Sequence, residues 1–331
     1  MPACLGFGVL ALCALLLLAP WWRREGRHQW QRSRRLAHWI RHLPAREQPG
    51  RDEVRALQLA LPGRRAASPL LGIGDAHAAP RALAALPPDG DASAAAFWEA
   101  RQVGGLVLLS LTLPPIDGLD GGARRLGLWP HALRALARHH PSQPLQGLVL
   151  CIAAADLLRD TAGRTIQLGR LTRLAHQACG GLGTALPVHL VVTQLQTLRG
   201  YASFEAMLPP EAFGQPWGMR HPGGSRALRP EDLLAPVFEP LMERLHGLRL
   251  GMLLDAPPLP MRRDLHEFVE QVRGLRTGLC QWLDMLADGP PPSPLPHWQG
   301  LFFTASRPEA AFTTGLLARM AGLPPSPRPA P

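Results

Sequence analysis

The sequence predicts an α/β protein with a doubly wound, mostly parallel sheet, and three observations predict this fold class. Apolar runs of strand length alternate with longer segments of helical periodicity, which is the order of elements in such folds. The run at residues 147–155 has no charge and no polar alternation, as expected of a strand buried on both faces. Asp156 follows it, at the carboxyl edge where α/β folds bind ligands. A buried helix could give the same run, because periodicity alone does not separate the two.

The other elements continue this alternation from residue 68 onward. The predicted strands are residues 69–74, 105–113, 147–155, 187–193, 248–254 and 300–304. The predicted helices are residues 126–139, 165–180, 231–245 and 261–286. Large apolar side chains recur at helical spacing in the last helix, which favours core packing over a groove for a partner.

The composition predicts a folded protein whose positive charge is concentrated in one segment. The 331 residues are 46% hydrophobic, and the formal net charge is +10 with no lysine in the chain. Residues 23–65 hold 12 arginines against Glu25, Glu47, Asp52 and Glu53, while the rest of the chain is near balance. This distribution is unlike that of a nucleic-acid-binding protein, so no nucleic-acid partner is expected. The five cysteines form no C-x-x-C pair, so neither a disulfide framework nor a zinc site is predicted.

The first 22 residues are predicted to be a transmembrane anchor. Residues 3–22 carry no charge, and about 20 helical residues cross a bilayer core of about 30 Å. Trp21 and Trp22 suit the membrane interface, and Arg23 and Arg24 follow directly, which places the rest of the chain in the cytoplasm by the positive-inside rule. A cleaved signal peptide is the alternative, and it would make the protein a secreted enzyme of unknown chemistry.

Residues 23–66 are predicted to be a basic juxtamembrane segment. Trp30, Leu36, Trp39, Ile40 and Leu43 interleave with arginines there. The pattern is typical of an amphipathic helix lying on an anionic membrane surface. A solvated linker helix whose charge only fixes topology explains it equally well.

Residues 67–322 are predicted to form a degenerate P-loop NTPase-like domain, followed by a Pro-rich tail at residues 323–331. The first strand leads into Gly72-Ile-Gly-Asp-Ala-His-Ala-Ala79, which is the setting of a phosphate-binding loop. Aligned with G-x-x-x-x-G-K-[ST] from Gly72, the lysine and hydroxyl positions fall on Ala78 and Ala79. Because no lysine can reach the phosphates, hydrolysis by the usual mechanism is not expected. No catalytic residue and no metal ligand is assigned.

Four motifs in order resemble the cytoplasmic domain of the IcmF/TssM family, the inner-membrane core components of bacterial type VI secretion systems. They are PLQGLVLCIAAADLL at residues 144–158, PVHLVVTQLQTLRGYASF at 187–204, QPWG at 215–218 and GLFFTAS at 300–306. Order and spacing agree with the family over residues 68–322. The resemblance implies an inner-membrane location and partners among the membrane-core and baseplate proteins. Since family members continue into a third span and a periplasmic region, the resemblance implies either a truncated member or a short paralogue.

The chain departs from the family at the motif that resembles the base-reading motif of GTPases. The family's T-K-x-D has Gln194 and Gln196 in place of lysine and aspartate. An uncharged amide with mixed donor and acceptor groups replaces a carboxylate that accepts two hydrogen bonds. Base selection should therefore be weakened or lost. The candidate nucleotide-binding residues are Gly72, Gly74, Asp75, His77, Arg81, Gln194 and Gln196.

Two functional hypotheses follow for an anchored chain. The first is a scaffold without a cofactor, and the second is a nucleotide-binding switch or weak NTPase that uses ATP or GTP with Mg²⁺. Arg81 would replace the missing lysine in the second hypothesis. A homo-oligomer is left open in both.

Overall fold

A seven-stranded sheet forms the centre of the chain. The computed structural model describes residues 26–61, 68–75, 78, 97–103, 106–113, 121–209, 215–223, 229–289, 293–305 and 316–320. The strands are β1 (Leu70–Asp75), β2 (Glu99–Val103), β3 (Leu106–Leu113), β4 (Gly147–Ala153), β5 (Pro187–Thr193), β6 (Trp217–Arg220) and β7 (His297–Phe303). Their order across the sheet is β2-β3-β1-β4-β5-β7-β6.

The sheet is mostly parallel, which confirms the predicted fold class in its coarser form. The five inner strands pair in parallel, while β2 and β6 pair antiparallel at the two edges. Every residue of β4 is buried, because apolar clusters cover both faces of the sheet. Leu148 and Leu150 contribute to one cluster, and Val149 and Cys151 to the other. The absence of polar alternation in β4 is therefore the consequence of burial on both faces.

The helices are named in chain order. They are α1 (26–41), α2 (Arg51–Leu59), α3 (Gly121–His139), α4 (Ala154–Leu157), α5 (Thr161–Leu182), α6 (Tyr201–Ala206), α7 (Pro230–Leu254), α8 (Leu259–Ala287) and α9 (Leu316–Met320). The Asp160 carboxylate caps the start of α5 by accepting from the Gly163 amide at 3.1 Å. Gly183 ends the same helix with φ 67°, a conformation that suits glycine. The apolar stripe of α8 is buried as predicted.

The predicted strand at residues 248–254 is wrong, because these residues form the last turns of α7. Leu245 and Met252 are buried, whereas Leu250 and Leu254 are exposed. The buried positions thus continue the helical spacing of the preceding turns. A short apolar run leaves the choice between strand and helix open, and here the preceding helix simply continues.

The basic segment packs on the α/β domain through the apolar side chains that suggested a lipid-facing helix. Leu36 and Leu43 of this segment are buried, and Trp39 packs against the main core. Arg32 is 8% exposed. It donates to the carbonyl oxygens of Leu182 at 2.8 Å and Pro141 at 2.9 Å. The apolar side of α1 therefore faces neither lipid nor water, as the two interpretations of this segment had it, and α1 is docked on the domain.

In the described ranges, no helix combines the length and the apolarity that crossing a bilayer requires. The predicted anchor at residues 1–22 lies outside those ranges, and so do Arg23, Arg24 and the tail at residues 323–331. The anchor and the domain boundaries stay predictions.

Candidate functional site

The sheet has a topological switch point between β1 and β4. The chain reaches β3 on one side of β1 and β4 on the other. In open α/β sheets, ligands bind beyond the carboxyl ends of the strands at such a point. Asp75 ends β1 here, while the short helix α4, which includes Asp156, follows β4 directly. The candidate site is therefore the carboxyl edge of β1, β4 and β5.

Gly72 and Gly74 lie inside β1 and not in the loop that follows it. They pair in register with Ser110 and Thr112 of β3. Strand side chains alternate between faces, so both glycines lie on the face of Leu70, which belongs to the cluster containing α9. The prediction that they contact a nucleotide stays a prediction.

Asp75 is the charged residue at the centre of the edge, and its carboxylate binds groups of the chain itself. Its Oδ1 atom accepts from the Ala78 amide at 2.7 Å. Its Oδ2 atom accepts a longer hydrogen bond of 3.4 Å from the Gln167 side chain of α5. A backbone N–H after the first strand is the kind of donor that phosphate-binding loops offer to an anion. Here the Asp75 carboxylate, and not a bound anion, accepts the hydrogen bond from the Ala78 amide.

The position aligned with the P-loop lysine is enclosed by apolar side chains. Ala78 has no solvent exposure, and it belongs to the cluster with Leu70, Leu108, Leu317 and Met320. A long cationic side chain would have to leave this cluster to reach a phosphate. His77, Ala79 and Arg81 lie outside the described residues.

The loop after β5 forms the other side of the candidate site. β5 ends at Thr193, which pairs with Ala153 of β4, so Gln194 follows at the same edge as Asp75. Gln194 has φ 59°, and its carbonyl oxygen accepts from the Thr197 amide at 3.0 Å and from the Thr197 hydroxyl at 2.8 Å. Both Gln194 and Gln196 are half-buried. They share the edge with Asp75, and their predicted contact with a base stays a prediction.

Burial shifts the pKa values of two ionisable groups near Asp75, the Arg170 guanidinium and the Cys151 thiol. Burial lowers the pKa of the Arg170 guanidinium on α5, and the negative charge of Asp75 partly opposes this shift. Burial also raises the pKa of the Cys151 thiol, and Asp75 raises it further. Cys151 is therefore a protonated, apolar side chain and not a nucleophile. Nowhere in the described ranges do three or more His, Cys, Asp or Glu side chains come together as a metal site.

Sequence reasoning identified Asp75 and missed its neighbours Gln167 and Arg170. Both lie on α5, more than 90 residues further along the chain. They carry no motif, so only the packing of α5 brings them to the sheet edge.

A separate cleft of about 490 Å³ lies between α1, α5 and the end of α8, away from this edge. Trp39, Thr172 and Met285 are among its lining residues.

Three of the motifs behind the resemblance serve to pack elements of the fold on one another. Gly200 directly precedes α6, and Phe204 on that helix packs against Phe268 of α8 with ring centroids 4.7 Å apart. Trp217 of β6 stacks on Phe303 of β7 at 4.6 Å. These residues of the GY-x-x-F, PWG and FFT segments thus stabilise the fold.

The comparisons with known proteins give one family match and one relative that each cover more than half of the chain. A family model described as the IcmF-related N-terminal domain matches residues 123–330. The type VI secretion system component TssM1 of Pseudomonas aeruginosa is 27% identical over 197 residues, which cover 58% of this chain and 18% of that protein. The search of solved structures gives no significant match. The family match begins after β3, so it does not include the loop after β1.

These matches confirm the resemblance that the four motifs indicated. Because the family model covers more than half of its length, the chain belongs to the IcmF-related N-terminal domain family.

Proposed function

We propose that this chain is a non-hydrolysing structural component of a type VI secretion system. It is held in the bacterial inner membrane by a single span, with most of the chain in the cytoplasm. The contact between the Asp75 carboxylate and the Ala78 amide carries the non-hydrolysing part of this proposal. The family and the name of the Pseudomonas relative support the secretion system.

The chemistry of phosphoryl transfer supports a site without turnover. P-loop enzymes hold the β- and γ-phosphates with backbone N–H groups and a lysine, and they hold Mg²⁺ through a Ser or Thr hydroxyl. This chain has no lysine, and alanines occupy both side-chain positions. The Ala78 amide donates to a carboxylate, whose charge repels an incoming triphosphate. The described residues therefore do not suit a nucleoside triphosphate with Mg²⁺.

The partners are inferred from the family. The chain spans less than a fifth of the length of the matched relative, so contacts made by the rest of that protein are not transferred. The contacts that remain are those of the cytoplasmic α/β domain, and we infer that other membrane-core proteins and baseplate proteins bind it.

A nucleotide-binding switch is the second candidate. The position of Asp75, Gln194 and Gln196 at one switch-point edge favours it, because related sheets bind nucleotides there. Arg81 would supply the cation for ATP or GTP with Mg²⁺. Saturable nucleotide binding that depends on Arg81 would distinguish this candidate from the scaffold.

A substitution at the candidate site tests the scaffold role in cells. Asp75→Asn keeps an oxygen that can accept from Ala78 while removing the negative charge. In a bacterium with an active system, we expect the tagged variant to co-purify with membrane-core and baseplate proteins and to support secretion like the unsubstituted chain. Asp160→Asn, at an exposed helix cap on α5, is the matched control. Loss of secretion by Asp75→Asn alone, at normal protein level, would contradict a passive site.

A further inference from the structure

We propose that the outward face of helix α1 binds the anionic phosphate headgroups of a bilayer. This outer face is defined by Arg27, Trp30, Arg34, His38 and Arg41. The spacing of three, four and seven residues places them on one side of the helix. The proposal rests on this face and not on the secretion assignment.

The opposite side of α1 is occupied by the domain. Arg32 and Leu36 are buried, and Trp39 packs against the main core. Arg32 fixes the helix through the carbonyl oxygens of Leu182 at the end of α5 and Pro141 after α3. The outer face is therefore held rigidly, so binding does not have to order it first.

The charge of the outer face suits a surface of phosphates. Residues 26–43 contain five arginines and three histidines, with no Asp or Glu. Helix faces that meet only water normally mix both signs of charge. Arg34 and Arg41 are exposed, and arginine guanidinium groups pair well with phosphate oxygens.

Trp30 distinguishes a bilayer from other anionic partners. Its side chain is 58% exposed, and the Arg34 guanidinium lies 4.6 Å from the ring centroid. Tryptophan favours the boundary between headgroups and acyl chains, and arginine beside it can reach the phosphates. The uncharged segment at residues 3–22 also precedes α1 closely, which places this face near a membrane if the segment is an anchor.

The test uses the full chain in lipid nanodiscs. A photo-crosslinking amino acid replaces His38 on the outer face, and mass spectrometry measures its crosslinks to lipid. One set of nanodiscs contains phosphatidylcholine alone, and the other contains phosphatidylglycerol as well. We expect several-fold more lipid crosslinks in the anionic nanodiscs than in the neutral ones. In the anionic nanodiscs, we expect Arg34→Glu/Arg41→Glu to lower the yield of lipid crosslinks at least about twentyfold.

A matched control separates the effect of the outer face on lipid crosslinking from the effect of the net charge of the chain. Arg51→Glu/Arg55→Glu makes the same charge change at exposed positions of α2, and it should keep the signal within about twofold because α2 lies off the outer face. Equal crosslinking in neutral and anionic nanodiscs would overturn the proposal. An equal loss of lipid crosslinks in the α2 variant and in Arg34→Glu/Arg41→Glu would also overturn it. So would added RNA that displaces the lipid and takes up the crosslinks. Unchanged melting temperatures exclude unfolding as the cause.

Discussion

Replacing Gly200 with alanine is expected to lower the free energy of unfolding by about 2 to 5 kcal/mol. Gly200 has φ 77°, a conformation that costs any residue with a Cβ atom. An ideal Cβ there would also overlap the carbonyl oxygen of Asp264 on α8. Because backbone blocks the space, α6 would have to move away from α8. Urea unfolding of the purified full chain, followed by circular dichroism, measures the loss.

Gly223 provides the matched control for this substitution. It has φ 78° but no atom within 4 Å of an ideal Cβ. Gly223→Ala therefore introduces the backbone strain without the overlap, and it should cost only about 1 kcal/mol. Equal losses for the two variants would show that α6 does not pack on α8 as described.

Replacing Arg32 with methionine is expected to destabilise the docking of α1 by about 3 kcal/mol. The methionine keeps most of the apolar stem but removes both charge-assisted hydrogen bonds to Leu182 and Pro141. The two carbonyl oxygens lie at or just beyond the C-terminal ends of α5 and α3, where the helix dipoles favour a positive charge. Hydrogen exchange of residues 26–43 in the full chain measures the effect as faster exchange.

Arg41→Met is the control for Arg32, because Arg41 is exposed and donates a long hydrogen bond of 3.4 Å to the Ala37 carbonyl oxygen within α1. It should leave exchange of α1 almost unchanged. Arg32 is buried, and its hydrogen bonds join α1 to the domain. If Arg32→Met also left exchange unchanged, the claim that the outer face is held in a fixed position would be contradicted.

The inner part of the sheet could be predicted because its strands are buried on both faces. β4 is an uninterrupted apolar run. β5 is mostly apolar, with His189 inside it and Thr193 at its end, and it was predicted with its observed bounds. The edge strands β2 and β6 were missed, because Glu99–Val103 is mostly polar and Trp217–Arg220 is only four residues long. Strands that meet partners on one side need less apolar sequence, so they leave a weaker signal.

The candidate site was only half predictable, for a related reason. The loop pattern after β1 identified Asp75, but the hydrogen bond to Ala78 depends on the local turn that the backbone adopts. Gln167 and Arg170 reach the edge through the packing of α5. For α1, the pattern predicted an amphipathic helix, but periodicity alone does not say whether the apolar side of such a helix meets lipid or protein. Burial of Leu36 and Leu43 resolves this.

A scaffold and a nucleotide switch differ most at the loop after β1, which binds a nucleotide only in the switch. Equilibrium titration of the full chain with nucleotide measures this binding directly. A fluorescent ATP or GTP analogue is added with Mg²⁺ to the unsubstituted chain, to Arg81→Ala and to the control Arg138→Ala, an exposed residue at the end of α3. We expect no saturable binding up to millimolar nucleotide for any of the three, because Ala78 is enclosed and its amide donates to Asp75. Saturable binding that Arg81→Ala weakens and Arg138→Ala does not would contradict a scaffold that works without a nucleotide, and would favour the nucleotide switch.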